Sequence, residues 1–144
     1  MLVSQILKSK SDDAVVTVEP SMQVSEAAKM LSDKRIGTLV ISRDGKTPDG
    51  ILSERDIVRE LGRQGAGCLN QTVDTLMTTK VVTCNRDDRG DVILARMTEG
   101  RFRHMPVIED GELVGLISLG DVVKARLAEL SMEKDALEGM IMGH

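Results

Sequence analysis

The amino-acid sequence predicts an α/β protein, in the α+β sense, made of two β-α-β-β-α units packed across a pseudo-two-fold axis. Three observations carry this. The chain repeats itself at a fixed offset. Each copy has an Asp-Gly turn between two apolar runs. Each copy also reaches a Gly-apolar-apolar-Ser-x-x-Asp stretch, the join of a strand to a helix. Two copies are too few to stack as a solenoid, so a facing pair is the simplest way to bury both apolar faces.

The repeat is read directly. Val15 to Leu31 is VVTVEPSMQVSEAAKML, and Val81 to Met97, 66 positions later, is VVTCNRDDRGDVILARM. At the same offset IGTLVISRDG (Ile36 to Gly45) aligns with FRHMPVIEDG (Phe102 to Gly111). One extra residue near Pro48 shortens the offset, and GILSERDIV (Gly50 to Val58) then matches GLISLGDVV (Gly115 to Val123). This divides the chain into repeat 1 over 1–62, a linker over 63–72, repeat 2 over 73–128 and a C-terminal helical extension over 129–144.

Each copy opens with a β-branched run, Val15 to Val18 or Val81 to Thr83, that reads as a strand. A helix follows. In the first copy Val24, Ala27, Ala28 and Leu31 recur at i, i+3, i+4 and i+7; the second has Gly90, Ile93, Leu94 and Met97 there. Gly90 costs about 1 kcal/mol of helix propensity, so that helix is expected to start a turn later. Two strands come next, Thr38 to Ser42 and Gly50 to Leu52, with the turn at Asp44-Gly45. Their counterparts are His104 to Ile108 and Val114 to Ile117, with the turn at Asp110-Gly111. Asp-Gly between apolar runs is a strong hairpin signal. Helices starting near Ser53 and Ser118 close the copies. GRQGAG (Gly62 to Gly67) looks like a dinucleotide fingerprint in letters only: it follows a helix, opens no βαβ unit and reads as linker.

Composition bounds the function. The chain has 144 residues, 41% apolar and 29% charged, the mix of a globular protein with one core. A net charge of −4 and a single aromatic, Phe102, argue against nucleic acid, which calls for basic surplus and stacking platforms. No run approaches the roughly 20 apolar residues of a membrane span. Met1 to Lys10 lacks the apolar core of a secretory signal, so the cytoplasm is the expected location. Cys68 and Cys84 form no CxxC metal motif, and a disulfide between them is not expected in a chain without an export signal.

The chemistry lies in Ser53-x-x-Asp56 and Ser118-x-x-Asp121. One reading is a capping box: the Ser accepts a backbone N–H while the acid favours the positive helix end. The other is a ligand site. A helix N-terminus at a strand end suits an anion, and a carboxylate beside it can accept two hydrogen bonds from a vicinal diol such as a ribose. Arg101, Phe102, Arg103 and His104 precede the apolar strand of the second copy. Arg offers a fork for phosphate, and His adds charge when protonated. Strand alternation puts Arg103 and His104 on opposite faces unless the strand start is bulged. The alternative is an exposed basic strand end. The equivalent residues of the first copy, Gly37 and Thr38, are neutral, so two unequal sites are expected.

On IGTLVI with GILSERDIV, and FRHMPV with GLISLGDVV, the chain resembles a stand-alone cystathionine β-synthase (CBS) domain pair, or Bateman module, over about residues 1–128. The resemblance implies two clefts between the repeats for adenosine ligands such as AMP, ADP, ATP, NAD(H) or S-adenosylmethionine. It implies that Asp56 holds the ribose in one cleft and Asp121 in the other, with Ser53 and Ser118 beside ribose or phosphate. Each cleft borrows the strand start of the opposite repeat. Asp56 is thus expected to join Val82, Phe102, Arg103 and His104, with Arg55 as a further cation; Asp121 is expected to join Val16, Ile36, Gly37 and Thr38. Leu119 and Gly120 supply no charge, so phosphorylated ligands are expected to favour the Asp56 cleft.

Leu127, Leu130, Leu137 and Ile141 follow near-heptad spacing, broken by Lys134. They suit either a homodimer contact, since the resembling modules pair into discs, or a helix packing on its own domain and fraying at Gly139 and Gly143. Met132, Met140 and Met142 read as gap-filling or tail residues. No catalytic residues are expected, because no Cys–His pair, metal cluster or P-loop lysine is present and His104 is the only general base within an element. The expected function is a regulatory nucleotide sensor acting through an unknown partner protein. The alternative is a ligand-free structural or dimerisation scaffold of the same fold.

Overall fold

A computed structural model describes residues 1–10 and 15–142. In chain order it contains α1 (Val3–Ser9), β1 (Thr17–Val18), α2 (Val24–Lys34), β2 (Thr38–Ile41), β3 (Gly50–Ser53) and α3 (Glu54–Gln64). A 3-10 turn (Ala66–Asn70) leads to α4 (Val73–Leu76), α5 (Gly90–Gly100), β4 (His104–Glu109), β5 (Glu112–Ser118) and α6 (Leu119–Ile141). The α+β architecture and the two-fold repetition follow the sequence-based expectation.

The first sheet has the order β1-β2-β3, with β1 parallel to β2 and Thr38 opposite Ser53 across the antiparallel β2–β3 pair. The second has only β4 and β5, antiparallel, with His104 opposite Ser118. The strand expected over Val81 to Thr83 does not form; Cys84 alone bridges Val107. Pro106 is the reason. In the first repeat Val40 N donates to the Val16 carbonyl and Ser42 N to that of Val18. Ile108 N reproduces the second bond, onto Cys84, but Pro106 stands where Val40 does and has no N–H to give.

Two further expectations change. The helix of the second repeat starts at Gly90 itself, whose N–H donates to the Met1 carbonyl at 2.8 Å. A Cβ there would come within 3.1 Å of that oxygen and 3.2 Å of Ile6 Cδ1, so close approach of the N-terminal segment requires glycine. The tight hairpin is found only in repeat 2, where Asp110 and Gly111 both have positive φ (51° and 78°), as a two-residue type I′ turn demands. In repeat 1 the Asp44-Gly45 turn sits inside a longer loop that absorbs the residue near Pro48. Asp44 Oδ1 accepts the Lys46 and Thr47 N–H groups at 2.8 Å each, and these bonds hold its carboxyl down at about 2.

The interior consists of two apolar clusters. One gathers Val24, Ala27 and Leu31 of α2 with Leu39, Ile41, Leu52 and Ile57. The other gathers Ile93 and Met97 of α5 with Met105, Val107, Ile117 and Val122. The short helices that lead into each repeat are exchanged between them. Val3, Ile6 and Leu7 of α1 are buried in the second cluster; Val73 and Leu76 of α4 are buried in the first. Matching bonds fix them: Val3 N donates to the Asp88 carbonyl at 2.9 Å and Val73 N to that of Met22 at 2.8 Å. The linker stretch is ordered as well, with α3 running to Gln64 and Cys68 buried in the 3-10 turn. Beyond residue 128 the chain continues α6 as one helix to Ile141; Leu127, Leu130, Leu137 and Ile141 are exposed on it, and Gly143 and His144 lie outside the described residues.

Candidate functional site

Both strand-to-helix junctions form capping boxes. Ser53 Oγ accepts the Asp56 N–H at 3.2 Å, and Asp56 Oδ2 accepts the Ser53 N–H at 2.9 Å. Ser118 and Asp121 repeat this at 3.1 and 2.9 Å. The capping reading therefore holds for both pairs, and a ligand role has to coexist with it. Around the pseudo-two-fold axis, Glu54 N donates to the Gly37 carbonyl at 2.9 Å and Leu119 N to the Arg103 carbonyl at 2.7 Å. On the axis, Thr38 Oγ1 and His104 Nδ1 meet at 2.9 Å, residues in equivalent positions of the two repeats.

Beside this axis lies a cavity of about 790 Å³. Ser53, Glu54, Arg55, Asp56 and Arg59 line one wall; Gly100, Arg101, Phe102, Arg103 and His104 line the other; Ile51, Thr78, Lys80, Val81 and Val82 complete it. Every residue expected around Asp56 is present. Gly37 and Thr38, assigned from sequence to the Asp121 cleft, also line this cavity, because the axis places Thr38 against His104. Val16 and Ile36 do not; they pack against the core of the first repeat. Ser118 and Asp121 lie outside the cavity lining.

Sequence reasoning placed Arg101 in the basic run before the second-copy strand without assigning it to the cleft, and missed Arg59 and Lys80. Arg59 is one turn beyond Asp56 on α3, a spacing that could have found it. Arg101 caps α5 in the left-handed conformation (φ 56°), a stop usually taken by glycine, and this turns it onto the cavity wall. Lys80 follows α4, whose packing across the repeats is invisible in the sequence.

The cavity is cationic in an acidic chain. Arg55, Arg59, Lys80, Arg101 and Arg103 face only two carboxylates, Glu54 and Asp56, whereas the chain carries −4. His104 adds no charge at neutral pH. Burial lowers its basicity and prevails over the Asp121 and Glu54 carboxylates, whose pull toward the charged form is partly offset by Lys10 and Arg103. Asp56 is 6% exposed. Its Oδ2 accepts Ser53 Oγ at 3.1 Å as well as the Ser53 N–H, while Oδ1 faces Arg59 at 3.0 Å. The Glu54 and Asp56 N–H groups are already used, so side-chain cations, more than the helix end, are left to meet an anion.

Asp121 is placed differently. Lys10 Nζ stands 3.0 Å from its Oδ2 and also donates to the Leu116 carbonyl at 2.8 Å. Desolvation pushes the Asp121 carboxyl up, but the bonds from Ser118 and Lys10 and the lysine charge prevail and hold it below its ordinary value. Among the described residues no cluster of three or more His, Cys, Asp and Glu side chains is placed to hold a metal. Both cysteines are free and buried, and burial lifts the Cys84 thiol to about 12.

Comparison with known proteins agrees with this architecture. The family model described as the CBS domain matches residues 3–63 and 73–128. The crystal structure of a CBS-domain containing protein from Agrobacterium tumefaciens is 44% identical, superposes with a TM-score of 0.83 and covers 88% of this chain and 99% of its own. A CBS domain protein from Pyrobaculum aerophilum complexed with AMP is 27% identical, with a TM-score of 0.77 and coverage of 92% and 99%. The CBS domain pair of protein MJ0100, in complex with 5′-methylthioadenosine and S-adenosyl-L-methionine, is 25% identical, with a TM-score of 0.78 and coverage of 90% and 98%. The paired junctions, the axis between them and the two matched segments have one common explanation: this chain belongs to the CBS domain family and is a pair of CBS domains.

Proposed function

We propose that the cavity beside Asp56 binds a phosphorylated adenosine ligand, AMP, ADP, ATP or NAD(H), and that the chain is a regulatory sensor and not an enzyme. One observation carries the reading: a half-enclosed cavity with five cationic side chains arranged around one buried carboxylate, in a protein of net negative charge. Asp56 suits a ribose because Oδ1 keeps a lone pair beyond its bond to Arg59, which is 59% exposed and can turn aside into water, and Oδ2 can take a second hydroxyl in place of the Ser53 hydroxyl it now accepts. Arg55, Arg101, Arg103 and Lys80 suit the phosphate, and Val82 and Phe102 offer apolar surface to the base. The ligand-bound relatives support the adenosine moiety; the cations of this chain favour phosphate over sulfonium. A bound nucleotide touches both repeats and shifts whichever homodimer or partner-protein complex prefers the cross-linked form. The proposed setting is the cytoplasm.

The scaffold reading has one observation in its favour, the capping box that already occupies Asp56. Thermal shift with AMP, ADP, ATP, NAD, NADH and S-adenosylmethionine on wild type and Asp56→Asn separates the two. Ligand at a hundred times its Kd stabilises by about 2.7 kcal/mol, several degrees in a domain of this size. The expected result is a rise for phosphorylated ligands that Asp56→Asn largely removes. A flat response to every adenosine compound leaves Asp56 as a cap and favours the scaffold.

A further inference from the structure

The two carboxylates at the repeat junctions are held by very different partners. Asp56 pairs with Arg59 of its own helix, a side chain 59% exposed with Glu60 Oε1 3.8 Å away to receive it when it leaves. Asp121 pairs with Lys10, which arrives from outside the second repeat, immediately after α1. Both members of that pair are only 23% exposed, and the ammonium also serves the Leu116 carbonyl. A ligand hydroxyl approaching Asp56 Oδ1 displaces one surface side chain. A hydroxyl approaching Asp121 Oδ2 must expel a sheltered cation from two oxygens at once and leave the Leu116 carbonyl without its donor.

The pseudo-symmetry sharpens the contrast. The correspondence that sets Val3 against Val73 and Leu7 against Met77 sets Lys10 against Lys80. Lys80 is exposed and lines the open cavity. The same position supplies a cation to the open cavity in one half and the ion-pair partner of Asp121 in the other. We infer that Lys10 is a built-in occupant of the Asp121 cleft and limits the chain to one bound nucleotide; the inference rests on the nucleotide reading above.

Titration calorimetry with AMP and with adenosine tests this on wild type, Lys10→Met, Asp56→Asn and the double variant. Met keeps the length of the lysine stem and removes its donor, and circular dichroism with the thermal midpoint checks folding. Wild type is expected to bind one ligand per chain, with affinity at least tenfold weaker in Asp56→Asn. Lys10→Met is expected to bind two, and the double variant to keep one unweakened site where Asp56→Asn alone has only the site weakened at least tenfold. A folded double variant that binds neither compound, while wild type binds one, overturns this inference alone. So does a wild type that binds two. If neither wild type nor Lys10→Met binds any adenosine compound, the nucleotide reading falls first and this inference with it.

Discussion

His104 sits where the two halves meet, with Thr38 at 2.9 Å and ionisable neighbours on every side: Asp121, Glu54, Lys10 and Arg103. Burial is the largest influence and sets its pKa below the ordinary 6.5. The folded protein therefore binds fewer protons at this position than the unfolded chain does. Stability from the neutral imidazole is complete above about pH 6.5 and is lost as pH falls through the lowered folded value. Asp44 and Asp121, whose folded values are also depressed, lose their contributions only in more acidic solution, below the ordinary carboxylate range. A thermal midpoint measured from pH 7.5 to 5.5 isolates His104. Wild type is expected to fall more steeply than His104→Gln, which can still bond Thr38 but does not titrate. Parallel curves would remove His104 as the pH-sensitive residue of the axis.

Among elements, the strand opening each junction shows what the sequence revealed and what it hid. Gly50 and Gly115 were legible as the start of a Gly-apolar-apolar strand, and β3 and β5 do run into capped helices there. Why glycine is needed was not legible. A Cβ on Gly50 would come within 2.5 Å of Met77 Sδ and 3.0 Å of the Thr78 carbonyl; on Gly115 it would come within 2.9 Å of Leu7 Cδ2. In each case the obstructing residue lies in or just after a leading helix from the other half. Those helices span seven and four residues, too short for an apolar period to declare itself, and their burial depends on distant partners. The missing strand of repeat 2 was legible in principle, since Pro106 removes a donor, but the β-branched letters of Val81 to Thr83 outweighed it. Gly50→Ala is expected to cost about 1–3 kcal/mol, because the Thr78 backbone cannot yield as the Met77 side chain can. Urea unfolding checks this; a change below about 0.5 kcal/mol would show that the leading segment moves aside freely.

At the scale of the molecule, the exchange of leading helices makes the halves interdependent in a way their order along the chain conceals. Residues 3–9 open repeat 1 in sequence, yet Val3, Ile6 and Leu7 complete the core built by Ile93, Met97, Met105 and Ile117. Ile6 is 1% exposed there. Truncating such a side chain forfeits its transfer free energy and leaves a cavity, so Ile6→Ala is expected to destabilise by about 2–5 kcal/mol. Against a typical total of about 5–15 kcal/mol, that loss is large enough to be located as well as detected. Native-state hydrogen exchange can locate it, because opening free energies differ from one region to another. Amides of Met105, Val107 and Ile117 are expected to lose the most protection, although they lie far from the substitution in sequence. Those of Leu39, Val40 and Leu52, in the repeat to which Ile6 belongs by sequence, are expected to lose less. The opposite ranking would mean that α1 stabilises its sequence neighbour and that the exchange carries little energy. The expected ranking has a consequence for the site: its walls come from both halves, so loosening one core moves Arg101, Arg103 and His104 relative to Asp56 and weakens any ligand that spans them.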